Sequence, residues 1–449
     1  MRRILAVLSA VTLSAVLLGG CGSNAGGIPA GLVVGEAGAE ESYKVSGLTA
    51  GIESFGQENS LETRIYTASS NTLDDYKVQF DAAAQDNAAY VVCEGEEMEI
   101  PVFEAQNEHH GQKFLFFEGM PRQSEDVEAV IRSNTMCLHF SRADIGFLAG
   151  YVAVCDGYRN LFYMSGKKDE EKTEYYQGFL SGVAYAIQEH SLTPEMVSVS
   201  VEYADSDQLT PLRMTEAMAQ YDAGVDLILT DTPGISPAIE QAAKARDKHA
   251  ATIGFNRVDQ SDVVVFSSMA DWKNAVQALL TSVTKDKGFA GGQTAELGGA
   301  QRAVTIRADY SRLQSFTEAA LENIIEAMEE GIAAAVTEKS ETNADGTSSY
   351  APPIQVTEVS PMSPDGEAGL HGSTAVSPEA AADSGQSETE SSAGSDAAAE
   401  ISGEEAPAQD AAAETGGEED TAQDEASDQD EDEADAEDEA QNGGEENES

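Results

Sequence analysis

Residues 142–155, RADIGFLAGYVAVC, repeat apolar residues every third or fourth position, which predicts a helix with one buried face. The apolar run LFYM at 161–164 follows, then a second helical pattern, EYYQGFLSGVAYAIQ, at 174–188. The run VSVSV at 197–201 comes next. Short apolar strands that alternate with helices predict a parallel sheet covered by helices on both faces.

The same alternation extends in both directions along the chain. Further strands are predicted at 32–34, 63–66, 90–93, 114–117, 227–230, 252–255, 263–266 and 304–306. About 300 residues, Gly31 to Ala335, exceed what one hydrophobic core usually holds, so two lobes are expected. The fold class is therefore α/β, with two doubly wound lobes and a cleft between them. Ligands of such sheets bind beyond the carboxyl ends of the strands.

The start of the chain is typical of an exported protein. Met1-Arg2-Arg3 precedes a short apolar run, Ile4 to Leu18, and the pattern indicates a signal peptide over residues 1–20. Leu18-Gly19-Gly20-Cys21 resembles the bacterial lipobox, in which the cysteine is lipidated. We therefore expect acylated Cys21, a flexible linker over 21–28, and a location on the extracytoplasmic face of the cell membrane.

The last 110 residues, Ser340 to Ser449, contain 32 acidic residues and no Lys or Arg. A segment so poor in large apolar residues cannot offset its ordering entropy, so a disordered acidic tail is expected over 340–449. The remaining body is also acidic, with 49 acids against 25 bases. This charge argues against nucleic acid as a partner.

No motif for catalysis or for a cofactor is apparent, so we predict neither an enzyme nor a metal site. The chain has no Gly-x-Ser-x-Gly elbow, and the pair His109-His110 has no ligand cluster in its sequence neighbourhood. Cys93, Cys137 and Cys155 are expected to be buried apolar residues, although two of them could form a disulfide. A reactive thiol is not expected, because we expect no nearby His or basic residue to lower the pKa of any of them.

Several stretches resemble the basic membrane protein family of lipid-anchored solute-binding proteins. The stretches, in chain order, are Asp144–Gly150, Met164–Gly166, Tyr176–Val183, Ala223–Ile228, Ile253–Gln260 and Ser268 with Ala275-Val276. Each consists mainly of glycines and packing residues, and the order of all six carries the resemblance. It covers roughly Gly31 to Ile332.

The resemblance implies a type I periplasmic-binding-protein fold, in which two lobes joined by three crossover strands close on a ligand through a hinge. The first lobe would comprise 29–140 plus 262–297, and the second 141–261 plus 298–335. It also implies an ABC permease as partner and a purine nucleoside as the type of small-molecule ligand.

The family's binding positions map onto residues that often differ from the family pattern. The candidate ligand-binding residues are Glu36, Glu41, Tyr43, Lys44, Glu118, Asp207, Asp231, Gly234, Asn256 and Asp271. Tyr43 supplies a ring for stacking, and the acids and Asn256 supply acceptors for ligand hydroxyl groups. So many carboxylates favour a cationic or polyhydroxylated ligand over an anion.

The sequence thus predicts a solute-binding lipoprotein that delivers a nucleoside, or a related polyhydroxylated or cationic molecule, to an ABC importer. The alternative is a diverged relative that keeps the fold and acts as a ligand sensor or surface interaction protein. A secreted hydrolase ranks last, because no nucleophile or metal motif supports it.

Overall fold

A computed structural model describes residues 28–35, 42–285, 288–332, 341–342, 348–349 and 354–362. The strands are β1 (Ala30–Val34), β2 (Thr63–Thr67), β3 (Tyr90–Glu94), β4 (Lys113–Phe117), β5 (Thr135–Phe140), β6 (Asn160–Ser165), β7 (Ser198–Tyr203), β8 (Leu227–Thr230), β9 (His249–Ile253), β10 (Val264–Ala270), β11 (Gln293–Leu297), β12 (Val304–Ala308), β13 (Glu341–Thr342), β14 (Ser348–Ser349) and β15 (Gln355–Glu358). The α-helices are α1 (Ser42–Asn59), α2 (Leu73–Gln85), α3 (Glu99–Glu108), α4 (Arg142–Cys155), α5 (Glu170–Glu189), α6 (Pro211–Asp222), α7 (Ser236–Arg246), α8 (Trp272–Lys285) and α9 (Glu318–Glu329).

Two large sheets organise the chain, as the alternating pattern predicted. The first has the order β11-β5-β4-β3-β1-β2 and is entirely parallel. The second has the order β12-β10-β9-β8-β6-β7-β15, in which only β12 is antiparallel to its neighbour. The orders β2-β1-β3-β4-β5 and β7-β6-β8-β9-β10 are the same doubly wound arrangement. Its switch points lie between β1 and β3 and between β6 and β8, where such folds bind ligands.

The chain passes between the two sheets three times, after β5, after β10 and after β11. The crossings are held together by main-chain hydrogen bonds, from Ser141 N–H to the Leu297 carbonyl at 2.9 Å and from Asp271 N–H to the Ala303 carbonyl at 2.8 Å. The predicted start of the second part of the first lobe, at 262, is wrong. Strand β10 belongs to the second sheet, and the crossing falls at Asp271.

Helices α4 and α5 pack with their backbones in direct contact. An added Cβ at Gly146 or Gly150 would lie 2.0 or 2.1 Å from a carbonyl oxygen of α5. At Gly178 or Gly182 it would lie 1.9 Å from a carbonyl oxygen of α4. No real Cβ fits at such distances, so only glycine permits this packing. The glycines that carried the sequence resemblance therefore form one reciprocal helix contact.

The tail expected to be disordered over 340–449 is ordered in part. Strand β15 pairs in parallel with β7 at the edge of the second sheet, with Gln355 opposite Ser198 and Glu358 opposite Val201. Ile354 is buried, and the Val359 N–H donates to the Val201 carbonyl at 2.8 Å. The segment Ile354–Val359 contains three branched apolar residues, and burial of their apolar area favours docking at this edge. Most of the tail lies outside the described residues.

A buried charge cluster lies beside this edge strand. Arg213 Nη1 is 2.7 Å from Glu202 Oε1, and Arg213 Nε is 3.1 Å from Glu216 Oε2, with all three side chains 8% exposed or less. The Met362 N–H donates to Glu216 Oε1 at 2.7 Å, which joins the tail segment to the cluster. Burial first, and then the charge of Glu216, raise the pKa of Glu202 to about 7, against the opposing effect of Arg213.

The first prediction concerns the helix contact. Replacement of Gly150 by Ala would place a methyl group 2.1 Å from the Phe179 carbonyl oxygen, so α4 and α5 must separate. We expect a loss of about 2–3 kcal/mol in the free energy of unfolding, measured by urea denaturation. Gly111→Ala is the matched control, because no atom lies within 4 Å of its added Cβ. Equal stability of the two variants would contradict the packing argument.

The second prediction concerns Glu202. Folding favours its neutral form, so its contribution to stability is largest below about pH 4.5 and is lost as the pH rises to about 7. Glu202→Gln is neutral at every pH, so its stability relative to the parent should increase between about pH 5 and pH 8. Arg213→Met leaves two buried acids and should cost about 3–5 kcal/mol at pH 8. Urea unfolding across this pH range measures both, and a constant difference for Glu202→Gln would refute the assignment.

Candidate functional site

Glu118 lies at the carboxyl end of β4, as the sequence resemblance implied. Its Oε1 accepts the Phe140 N–H at 2.6 Å, and its backbone φ of +49° lies in the left-handed region. The pKa of its carboxyl is lowered overall. Burial acts to raise this pKa, but the contacts with His139, with the Phe140 N–H and with the charge of Arg142 outweigh burial. Glu118 is therefore a fixed carboxylate on a residue with a strained backbone conformation.

Arg142 connects the two lobes at this point. It is the first residue of α4, directly after the crossing, and its Nη2 is 3.3 Å from Glu118 Oε2. Its Nε is 3.0 Å from Glu171 Oε1 in the first turn of α5. Burial disfavours the guanidinium charge, but the two carboxylates prevail and raise the pKa of Arg142. A carboxylate of the first lobe and one of the second thus share one cation.

Tyr175 lies in α5 next to this bridge. An added Cβ at Gly254 would lie 2.8 Å from the Tyr175 hydroxyl oxygen, so the hydroxyl passes close to the backbone just after β9. Burial, followed by the charges of Glu171, Glu118 and Asp231 against that of Arg142, raises the pKa of Tyr175. The ring therefore lies between the interlobe bridge and the carboxyl ends of the second sheet.

Asp231 follows β8 and is almost completely buried. Its carboxylate accepts hydroxyl protons from Tyr163 at 2.8 Å, Ser165 at 2.7 Å and Thr232 at 2.8 Å. Burial raises its pKa, and the three hydroxyl donors and the Lys172 charge oppose that rise. At 7% exposure, Asp231 organises the ends of β6 and β8 and presents little surface to a ligand.

Asp207 and Gly234 lie together at the same end of the second sheet. Asp207 Oδ1 accepts the Lys167 N–H at 2.8 Å and is 3.0 Å from Lys172 Nζ. An added Cβ at Gly234 would lie 2.1 Å from the Asp207 carbonyl oxygen, which explains the glycine. Lys172 also binds Asp169, at 2.9 Å. The acid predicted for the ligand therefore already has a cation partner.

Tyr43, Asn256 and Asp271 share a second neighbourhood, centred on Asp259 and Arg307. Asn256 Nδ2 donates to Asp259 Oδ2 at 2.7 Å, and Arg307 Nη2 donates to Asp259 Oδ1 at 3.0 Å. Burial, then Asp271, raise the pKa of Tyr43 to about 12; Asp259 adds to the rise and Arg307 opposes it. Tyr43, from the first lobe, therefore faces charges of the second lobe.

Asp271 and Lys44 have protein partners. Asp271 accepts from the Asn274 N–H at 3.0 Å and from Asn274 Nδ2 at 2.8 Å, so it caps the start of α8. Lys44 Nζ is 3.0 Å from Glu94 Oε1 and lies 5.9 Å from the centre of the Trp272 ring. Trp272 itself packs on Phe140, with ring centres 4.6 Å apart, and belongs to the core.

The structure thus gathers most of the predicted residues at the carboxyl ends of the strands. Glu36 and Glu41 lie outside the described residues. Sequence reasoning missed Arg142, Tyr175 and Lys172. Their position in the sequence could have indicated them. Each lies near the start of a helix that follows a crossing or a strand end, which is where such folds bind ligands.

The cysteines follow the sequence expectation except at one position. Cys93, Cys137 and Cys155 are all free thiols, and the first two are buried. Cys155 has a histidine neighbour that the sequence analysis did not expect, because its Sγ is 3.0 Å from His190 Nε2. Thirty-five residues separate the two in sequence, so only the fold brings them together.

Within the described part of the chain, no helix has the length and apolar character needed to cross a bilayer.

Solved structures that are similar to this chain include transport proteins. The chain is similar to an ABC transporter solute-binding protein from Conexibacter woesei, with 15% identity, a TM-score of 0.50, and coverage of 68% of this chain and 96% of that one. A solute-binding protein from Aeropyrum pernix gives 16% identity and a TM-score of 0.41, over 69% and 90% of the two chains. A transcriptional activator of the comK gene from Bacillus halodurans has 13% identity and a TM-score of 0.48, with coverage of 68% of this chain and 98% of that one. The first of these supports the type I periplasmic-binding-protein fold.

A family model gives the more specific result. The model described as ABC transporter substrate-binding protein PnrA-like, Bmp, matches residues 33–337, which is more than half of the chain. The match extends from the end of β1 to beyond α9 and includes all of the site residues described above. The chain therefore belongs to the Bmp family of ABC transporter substrate-binding proteins, which bind a small solute outside the cytoplasm for import.

Proposed function

We propose that this protein binds a neutral, polyhydroxylated solute of the nucleoside class in the cleft between its lobes. The observation that carries the proposal is that the carboxylates around Tyr175 already have partners within the protein. Glu118 is paired with Arg142, and Asp207 with Lys172, while Asp231 is surrounded by three hydroxyl groups. A cationic ligand would have to compete with these internal cations. A neutral ligand can donate to the carboxylates and accept from the cations at once.

Two rings are available for an aromatic base in this proposal. Tyr175 lies beside the bridge between the lobes, and Tyr43 faces the second lobe from α1. A tyrosine ring offers a flat apolar face for stacking and a polar tip for a hydrogen bond. Glu118 and Asn256 are the proposed acceptors for ribose hydroxyl groups, since both side chains retain exposed surface. The proposed role is binding and delivery to an ABC permease, without chemistry on the solute.

The anchor in this proposal is a lipid on Cys21, at the extracytoplasmic face of the membrane. The lipobox-like sequence before Cys21 supports it. Each buried methylene of an acyl chain contributes about 0.8 kcal/mol to membrane affinity, so several chains on one residue hold the protein firmly.

The third prediction tests the ligand. Nucleosides should raise the melting temperature of the full chain, because a ligand at one hundred times its Kd adds about 2.7 kcal/mol to stability. Sugars without a base and aliphatic amines should raise it less. Tyr175→Ala should weaken nucleoside binding about tenfold or more, from lost stacking, and Tyr175→Phe much less. A thermal-shift assay measures the melting temperatures, and isothermal titration calorimetry measures nucleoside binding by the two variants.

His110→Ala is the matched control, because His110 is exposed and lies in the turn between α3 and β4, at the opposite end of the first sheet. Stronger stabilisation by amines than by nucleosides would contradict the neutral ligand. No stabilisation by any of these solutes would favour a role as a surface interaction protein.

The fourth prediction tests the anchor. In cells that process lipoproteins, Cys21→Ser should move the protein from the detergent phase to the aqueous phase in a phase-partition experiment. Cys155→Ser should leave it in the detergent phase, because Cys155 follows no lipobox-like sequence. An unchanged distribution of Cys21→Ser would exclude lipidation at this residue.

A further inference from the structure

Helices α4 and α5 end at the same place, outside the cleft. Their parallel packing sets Cys155, the last residue of α4, beside Glu189, the last residue of α5, and His190, its cap. The carboxyl-terminal end of a helix carries partial negative charge, so two such ends side by side favour a cation. The surrounding body of the protein is acidic as well.

The three side chains offer a sulfur, a nitrogen and an oxygen at short range. Cys155 Sγ is 3.0 Å from His190 Nε2, and His190 Nε2 is 3.7 Å from Glu189 Oε2. All three ligand atoms lie within 4.8 Å of one another. In a tetrahedral zinc site with bonds of about 2.0–2.3 Å, neighbouring ligand atoms are about 3.3–3.7 Å apart. Small side-chain movements would bring this set to that spacing.

A neighbouring tyrosine holds the carboxylate in place. The Tyr151 hydroxyl donates to Glu189 Oε2 at 2.7 Å, and Tyr151 is itself buried against Phe147 and Phe316. Outer partners of this kind orient the ligands of metal sites and raise their affinity. His190 and Glu189 are about half exposed, so an ion can reach them from solvent.

The thiolate form of cysteine is the form that binds a metal ion. A divalent metal that binds Cys155 would displace the thiol proton, so that the thiol becomes a metal-bound thiolate and one proton is released.

We propose that Cys155, Glu189 and His190 form a zinc-binding site at the shared carboxyl-terminal end of α4 and α5, with water as the fourth ligand. The site is separate from the cleft and goes beyond both the proposed function and the sequence-based expectation of no metal. A second cluster, Asp81, Glu108 and His109, has no thiol and serves as an internal comparison.

Cobalt titration of the reduced full chain tests the site. A sulfur-to-cobalt charge-transfer band should appear in the near ultraviolet, and one equivalent of Zn²⁺ should remove it. Cys155→Ser should abolish the band. His190→Asn and Tyr151→Phe should weaken cobalt binding about tenfold or more. Ions bound weakly by the acidic tail cannot produce this band, because they have no thiolate ligand.

Two controls separate this site from other ligands. Cys21→Ser should keep the band, which excludes the terminal thiol, and His109→Asn should keep the affinity, which excludes the other histidine cluster. The absence of the band in the parent chain would overturn the proposal, as would its survival in Cys155→Ser. Circular dichroism checks the fold of each variant. If Cys155→Ser does not fold, the exposed His190→Asn variant decides, and unchanged affinity there would also overturn the proposal.

Discussion

The contact between the backbones of α4 and α5 is the constraint on which the second lobe depends. Four glycines, two on each helix, remove the side chains that would otherwise keep the helix axes apart. Because α4 starts directly after the first crossing, this contact also fixes where the chain enters the second lobe. Both ends of the helix pair matter: Arg142 and Tyr175 face the cleft from one end, and Cys155 meets His190 at the other.

The cleft combines fixed charges with a matched topology. Both sheets use the same strand order, so their switch points provide equivalent edges for a ligand. The carboxylates at these edges already have partners within the protein: Arg142, Lys172 and a set of hydroxyl groups around Asp231. In the proposed function, this surface would select a ligand by its shape and hydrogen-bonding pattern more than by its net charge. This is why many acids in the sequence do not by themselves indicate a cationic ligand.

The sequence predicted the fold better than the site. Periodicity identified the elements, and the ordered glycine motifs identified the two-lobed architecture. The boundary at 262 failed because local pattern does not reveal which sheet a strand joins, and β10 pairs with β9 and β12. Tyr175 was missed because its sequence pattern is typical of a helix packing residue. Arg142 was missed because a charged residue at a helix start is typical of the surface. The pair Cys155 and His190 was missed because its members meet only through helix packing.

Strand β15 changes what the second lobe presents to other molecules. Without it, the outer strand would be β7, six residues long, with Val199 and Val201 and a full row of unpaired main-chain groups. Such a rim is a template on which a second chain can add its own strand. With β15 in place, the outermost strand is four residues long and ends at the exposed Glu358. The chain thus covers the exposed edge of its own second sheet, and the covering strand lies within its most acidic region.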